Sequence, residues 1–274
     1  MTGELRIERL TKAFPVRHGW RRGTPHVVFR DVSFALSAGE FVTVIGPSGC
    51  GKSTLLSIAA GLEVPHSGTV SVDGQAVTGP GLDRSVVFQE FALFPWLSVR
   101  DNIAFGLKSL GVPRAERVAR VDKYLALVGL ARFADYFPNK LSGGMRQRVG
   151  IARALAIEPA VLLMDEPFGA LDALTRETMQ TALADIWQGT RKTVLFITHD
   201  INEAVFLADR VLVLNGQPSN IVLEVKVDAP RPRRRQSVEF QAIVQILEDA
   251  IRGKPAAVLS DPAVPPIHTE RAFT

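Results

Sequence analysis

With 274 residues, 46% of them hydrophobic and 22% charged, the chain has the balance of a soluble globular protein with room for one large domain and a subdomain. A formal charge of +4 and a pI near 9.5 permit an anionic partner without requiring one, so composition gives no reason to expect nucleic acid. No apolar run approaches the roughly 20 residues of a membrane-spanning helix, the alternating start Met1 to Leu10 does not read as a secretory signal, and one cysteine excludes an internal disulfide and fits a reducing compartment.

Ile7 to Phe14 and Val27 to Ala35 alternate apolar and polar residues as short strands do. Between them Pro15 to Pro25 is a basic loop bounded by proline and glycine. Phe41 to Ile45 is almost wholly apolar and stops at Gly46, which predicts a strand buried on both faces, as in a parallel sheet. Ser85 to Phe88, Val161 to Met164, Thr193 to Thr198 and Val211 to Leu214 predict more strands of that kind, separated by helical segments as βαβ units require. From about Gln89 to Asn139 no strong strand occurs, and segments such as Arg114 to Val128 predict a helical subdomain inserted into the α/β core. Beyond Asn215 the pattern is mixed. Arg231-Pro232-Arg233-Arg234-Arg235 reads as a linker, Ser237 to Arg252 as one amphipathic helix, and the closing residues, rich in proline and alanine, as a loose tail.

Gly46-Pro47-Ser48-Gly49-Cys50-Gly51-Lys52-Ser53 meets the pattern G-x-x-x-x-G-K-[ST]. It follows a predicted buried strand and opens a predicted helix, Lys52 to Ala60, that Gly61 stops. Such glycines let backbone N–H groups turn inward around phosphates, and the helix N-terminus adds partial positive charge. Lys52 is expected to reach the outer phosphates of a nucleoside triphosphate, and the Ser53 hydroxyl to hold Mg²⁺. Thr54 follows in the same turn. Cys50 has two readings: a small residue that fits the turn, or a thiol shifted toward thiolate by Lys52 and the helix N-terminus, whose alkylation blocks nucleotide.

Val161-Leu162-Leu163-Met164-Asp165-Glu166 is an apolar strand that ends in two carboxylates. A metal ion on a triphosphate gives that charge a use: Asp165 can hold the ion, and Glu166 can orient and polarise an attacking water. Gln89 and His199 each follow a predicted buried strand, so both are expected at the carboxyl edge of the sheet, where α/β proteins bind ligands. A structural role for each stays open at this point.

The run Leu141-Ser142-Gly143-Gly144-Met145-Arg146-Gln147-Arg148 resembles the signature motif of ATP-binding cassette (ABC) ATPases. The order of cradle, Gln89, signature, Asp165-Glu166, the loop Ala170-Leu171-Asp172 and His199 is similar to that family up to about Leu214. The resemblance implies an α/β fold: a P-loop NTPase (RecA-like) core with a parallel sheet, a small antiparallel β subdomain and an inserted helical signature subdomain. It implies an ATPase domain over 4–230, with core 4–88 and 156–215 and helical subdomain about 89–155, and then a basic linker, helix and tail over 231–274. The implied ligands are ATP and Mg²⁺, the metal held by Ser53, Gln89 and Asp165. Ser142 can cap a helix whose first residues, Gly143 and Gly144, leave backbone amides open to phosphate. The resemblance implies that this surface closes on the ATP held by a second copy of the chain, with Asp172 at the interface, and that His199 contacts the γ-phosphate and helps hold Glu166 and the water.

Asp83 to Gln89 with Pro95-Trp96-Leu97, Glu166 to Arg176, and Phe196 to Ile201 resemble the ATP-binding subunits of nitrate, sulfonate and taurine importers. That implies a separate integral membrane permease, a periplasmic or lipoprotein solute-binding protein that delivers solute to it, and a peripheral position at the cytoplasmic face of the inner or plasma membrane. Phe91-Ala92-Leu93-Phe94-Pro95-Trp96 stands where the family docks its membrane subunit, and reads either as that groove or as helical core. The chain departs from the family at the adenine platform: Phe14 offers a ring without a hydroxyl, and Trp20 in the basic loop is a second candidate. A soluble ABC ATPase of translation or DNA repair is the alternative, but the chain has neither a second cassette nor a long coiled-coil insertion. Asn139-Lys140-Leu141-Ser142 begins like the guanine-reading Asn-Lys-x-Asp, with Ser142 where Asp is required.

Overall fold

The computed structural model describes residues 3–15, 17–18, 21–22, 24–254 and 269–270. Trp20 and most of the C-terminal tail lie outside the described residues. In chain order the elements are β1 (Leu5–Phe14), β2 (Arg17–His18), β3 (Arg21–Arg22), β4 (His26–Leu36), β5 (Phe41–Ile45), α1 (Lys52–Ala59), β6 (Ser67–Val72), β7 (Gln75–Ala76), β8 (Arg84–Val87), α2 (Val99–Ser109), α3 (Arg114–Leu127), α4 (Gly143–Ala156), β9 (Val161–Asp165), α5 (Ala173–Thr190), β10 (Thr193–Ile197), α6 (Ile201–Leu207), β11 (Arg210–Gly216), β12 (Ser219–Lys226), α7 (Val238–Ile251) and β13 (Thr269–Glu270). They fall into two compact units, 1–81 with 193–274, and 82–192.

In the first unit the strands lie in the order β7-β6-β1-β4-β12-β11-β5-β10. β5 is flanked by β10 and β11, and both pairings are parallel. All five residues of β5 and of β10 are buried, which is why their sequences are apolar on both faces. β1 pairs antiparallel with β4 and β6, and β6 with β7, forming the small antiparallel region. β12 runs antiparallel to β11 and alternates buried with exposed residues. Its single apolar face is too brief a signal to separate from the mixed sequence after Asn215. α7 is capped by Ser237, whose Oγ accepts from Phe240 N, and it buries Phe240, Ile243, Val244, Leu247 and Ala250. That spacing is one stripe of a helix.

The basic stretch before α7 departs from the linker expected of it. Arg233 is only 6% exposed, and its guanidinium donates to backbone carbonyls of residues 205 to 229. Arg231 donates to Asp209 Oδ1 at 2.6 Å. Five charged or prolyl residues in a row look solvated, but the fold supplies carbonyls to Arg231 and Arg233.

In the second unit β8 and β9 pair in parallel, with Val87 opposite Met164, beside helices α2 to α5. Ser98, Ser142 and Asp172 are the N-caps of α2, α4 and α5, each accepting from a backbone N–H three residues on. The segment between β8 and α2 is held by Asn102, which is fully buried. Its Oδ1 accepts from Phe94 N at 2.9 Å, and its Nδ2 donates to the carbonyls of Phe94, Leu97 and Ser98. The aromatic run thus divides. Phe94 packs on Phe105 with ring centroids 4.3 Å apart, while Trp96 is 70% exposed.

Candidate functional site

The cradle begins where β5 ends. A Cβ on Gly46 would lie 2.1 Å from Leu214 O and 2.9 Å from Cys50 Sγ, so no larger residue fits. Gly51 caps α1 at φ +96°, and a Cβ there would meet Val28 Cγ1 at 2.4 Å. As a glycine it brings no side-chain acceptor to the first N–H groups of α1, which stay available to an anion. Lys52 is buried, and its Nζ donates to Gly46 O at 2.9 Å and Pro47 O at 3.1 Å, so the ammonium sits over the loop itself. Pro47, Ser48, Gly49 and Ser53 are exposed, and Thr54 is half-buried.

Cys50 faces inward. Its thiol is buried, and burial pushes its pKa up despite the opposing pull of Lys52. The structure therefore favours the packing role over the activated thiol. Less thiolate at a given pH predicts slow alkylation: iodoacetamide at pH 8 is expected to label native Cys50 roughly tenfold or more slower than the unfolded chain. Equal rates in the two states would contradict the buried placement.

β10 pairs with β5 so that Ile197 is opposite Val44. Thr198 N donates to Val44 O at 3.3 Å, so His199 follows the carboxyl end of β10 as Gly46 follows that of β5. His199 is exposed there, between Thr198, whose Oγ1 accepts from Asp200 N at 3.0 Å, and Asp200, the N-cap of α6. Phe14, 38% exposed, closes β1 in the same unit, with Lys12 Nζ 4.8 Å from its ring centroid. Lys12 is buried and donates to Glu63 Oε1 and Val64 O, both at 2.7 Å.

Within the second unit Gln89 and Glu166 follow the ends of the paired strands β8 and β9, each two residues past the pair Val87 and Met164. A Cβ on Gly169 would lie 3.2 Å from Gln89 Nε2 and 3.8 Å from Glu166 Oε2, so the three residues share one small space. Asp165 ends β9, half-buried. Glu166 takes φ 41°, a left-handed conformation uncommon outside glycine, and the turn that follows is closed by Gly169 N donating to Glu166 O at 3.0 Å. Strain of this sort concentrates at functional positions. Sequence reasoning passed over Gly169, although it lies in the turn between Glu166 and Asp172 that the resemblance quotes.

The signature is assembled in the same unit. Ser142 Oγ accepts from Met145 N at 3.3 Å. A Cβ on Gly144 would lie 2.8 Å from Thr175 Cγ2, and one on Gly143 3.2 Å from Leu171 Cδ2. The first turns of α4 and α5 are therefore side by side. Asp172 caps the second, accepting from Thr175 N at 3.0 Å, and that hydrogen bond holds its carboxyl below the usual range. Ser142 and Asp172 are both exposed.

Residues 29–169 match the family model described as ABC transporter. The chain is 53% identical over 211 residues to a taurine import ATP-binding protein of Pseudomonas aeruginosa, covering 77% of this chain and 80% of that one. It is 53% identical over 226 residues to a nitrate import ATP-binding protein of Synechocystis, covering 82% and 83%. Among solved structures it resembles a dimeric, post-hydrolysis ATP-binding cassette bound to ADP and phosphate. There the TM-score is 0.68 at 33% identity, over 82% of this chain and all of the other. The fold is that of an ABC ATPase cassette, and the chain belongs to the ABC transporter family as one of its ATP-hydrolysing, ATP-binding proteins.

Proposed function

We propose that this chain is the ATPase subunit that energises an importer of a small, anionic solute of the sulfonate, taurine or nitrate kind. The observation that carries this is the pairing of an intact cradle and signature with 53% identity to taurine and nitrate import ATP-binding proteins. Among the described residues no helix is long and apolar enough to cross a membrane, so in this reading the pore is a separate permease, and a periplasmic or lipoprotein solute-binding protein delivers the solute. The chain then works as a peripheral subunit on the cytoplasmic face.

Gly46 to Thr54 hold the phosphates of ATP through backbone N–H groups, with Lys52 swinging from its loop carbonyls to the outer phosphates. Phe14 stacks on adenine. Mg²⁺ fits the donors assigned to it, since Ser53, Gln89 and Asp165 offer only hard oxygen ligands; when bound, the ion offsets charge on the outer phosphates. Glu166 orients the attacking water, and His199 contacts the γ-phosphate. Ser142, Gly143, Gly144 and Asp172 serve the ATP of a second copy of the chain, as the dimeric assembly of the solved cassette supports. The site is thus a symmetric dimer closed by ATP.

The segment Phe91 to Trp96 meets the membrane subunit. Its backbone is fixed by Asn102, which leaves the exposed Trp96 ring as the part available to a partner helix. Trp96→Ala is expected to hydrolyse ATP at close to the normal rate as an isolated subunit. With the permease in proteoliposomes it should lose most ATP-driven uptake, by about tenfold or more. Uptake and basal hydrolysis that fall together would instead make Trp96 part of the fold.

A further inference from the structure

We infer that Arg233, with Arg231 beside it, is a positioning residue for His199 and acts through helix α6. The inference rests on the role proposed above for His199. α6 has seven residues, about 10 Å at 1.5 Å per residue, and His199 stands just before its N-cap. That end is fixed by Asp200, whose side chain accepts from Glu203 N at 3.1 Å, and by Thr198.

The other end is fixed by the arginines. The last carbonyls of a helix have no partner within it and carry partial negative charge. Arg233 Nη1 donates to Val205 O at 2.8 Å, to Phe206 O at 3.2 Å and to Ala208 O. Its Nη2 donates to Val227 O at 2.8 Å and its Nε to Ala229 O at 3.1 Å, just past β12. Arg231 Nη2 donates to Leu207 O at 2.6 Å, and its Nη1 to Asp209. The other oxygen of Asp209 accepts from Phe41 N at 2.9 Å, where β5 begins its run to the cradle. Arg235 lies over the Phe206 ring at 4.5 Å.

The clasp therefore joins the end of α6, the end of β12 and the start of β5. It uses all three guanidinium nitrogens of Arg233 in a planar fork that lysine cannot reproduce. Burial pushes the pKa of Arg233 down to about 9, with Arg231 acting in the same direction. A cation kept at that electrostatic expense, where an apolar side chain would often stabilise as well, is suited to holding one geometry. Slack at the C-terminal end of so short a helix becomes displacement of His199, and about 1 Å of misplacement can cost on the order of 10²-fold in rate.

The test is Arg233→Lys, which keeps the charge and loses the fork. Steady-state hydrolysis is expected to show kcat down about tenfold with KM for ATP within about twofold, in protein that melts cooperatively. In a His199→Ala background the same substitution is expected to cause no further loss, because the two act on one step. A wild-type kcat in Arg233→Lys, or the same factor lost again on top of His199→Ala, would overturn the inference. If His199→Ala alone left kcat unchanged, the assigned role of His199 would fail first, a result that can be told apart from the other two. If Arg233→Lys does not fold, Arg231→Gln, which removes the bonds to Leu207 and Asp209, is judged by the same criteria in both backgrounds.

Discussion

Glu166→Gln is expected to bind ATP and fail to turn it over, with steady hydrolysis lower by about 10²–10⁴-fold. The substitution keeps the shape of the side chain and removes the carboxylate that would accept a proton from water. Binding should survive because in the proposed site the phosphates are held by Gly46 to Thr54, and Glu166 acts only on the attacking water. The backbone at 166 is already left-handed, and glutamine adopts that conformation no less readily than glutamate, so the fold is not put at risk. Hydrolysis at an unchanged rate would remove Glu166 from the mechanism and leave its φ of 41° as a feature of the turn.

Gly46→Ala is expected to destabilise the first unit by about 3 kcal/mol or more and to abolish nucleotide binding. The new methyl would sit 2.1 Å from a backbone oxygen, Leu214 O, which belongs to β11 and cannot rotate away. Relief would require β5 and β11 to separate, and those strands are hydrogen-bonded along Val42 to Ile45. Gly49→Ala is the matched control. Its Cβ would meet nothing within 4 Å, and only the φ of +82° is unfavourable, at about 1–2 kcal/mol. Urea unfolding of the two variants separates collision from backbone strain. A Gly46→Ala protein with an unaltered midpoint would mean that β5 and β11 are not packed as described.

What could be read from sequence followed from runs that are uniform over several residues. β5, β9, β10 and β11 are each dominated by an apolar stretch of four or five residues because both faces are covered there, with Thr43 the one polar residue inside such a stretch. The cradle was legible because its glycines and Lys52 are contiguous. α7 was legible because its stripe repeats for three turns. β12 was not, since an antiparallel strand covered on one face shows only brief alternation. Arg233 was not, because what buries it arrives from Val205 to Ala208 and from Val227 to Ala229. No local pattern in Arg231 to Arg235 records where those carbonyls will be. Asn102 was hidden for the same reason: its partners depend on how the chain turns between Phe94 and Ser98. For Cys50 the sequence offered two charges that favour thiolate, but burial, which only the fold reveals, outweighs them.

The central claim is that one chain holds half of two sites, with the exposed Ser142 and Asp172 awaiting the ATP of a second copy. Light scattering on Glu166→Gln, with and without ATP and Mg²⁺, tests it most directly. The expected result is a monomer without nucleotide and a dimer with it, and a return to monomer when Ser142→Arg is added. A Glu166→Gln protein that binds ATP and stays monomeric at saturation would contradict it.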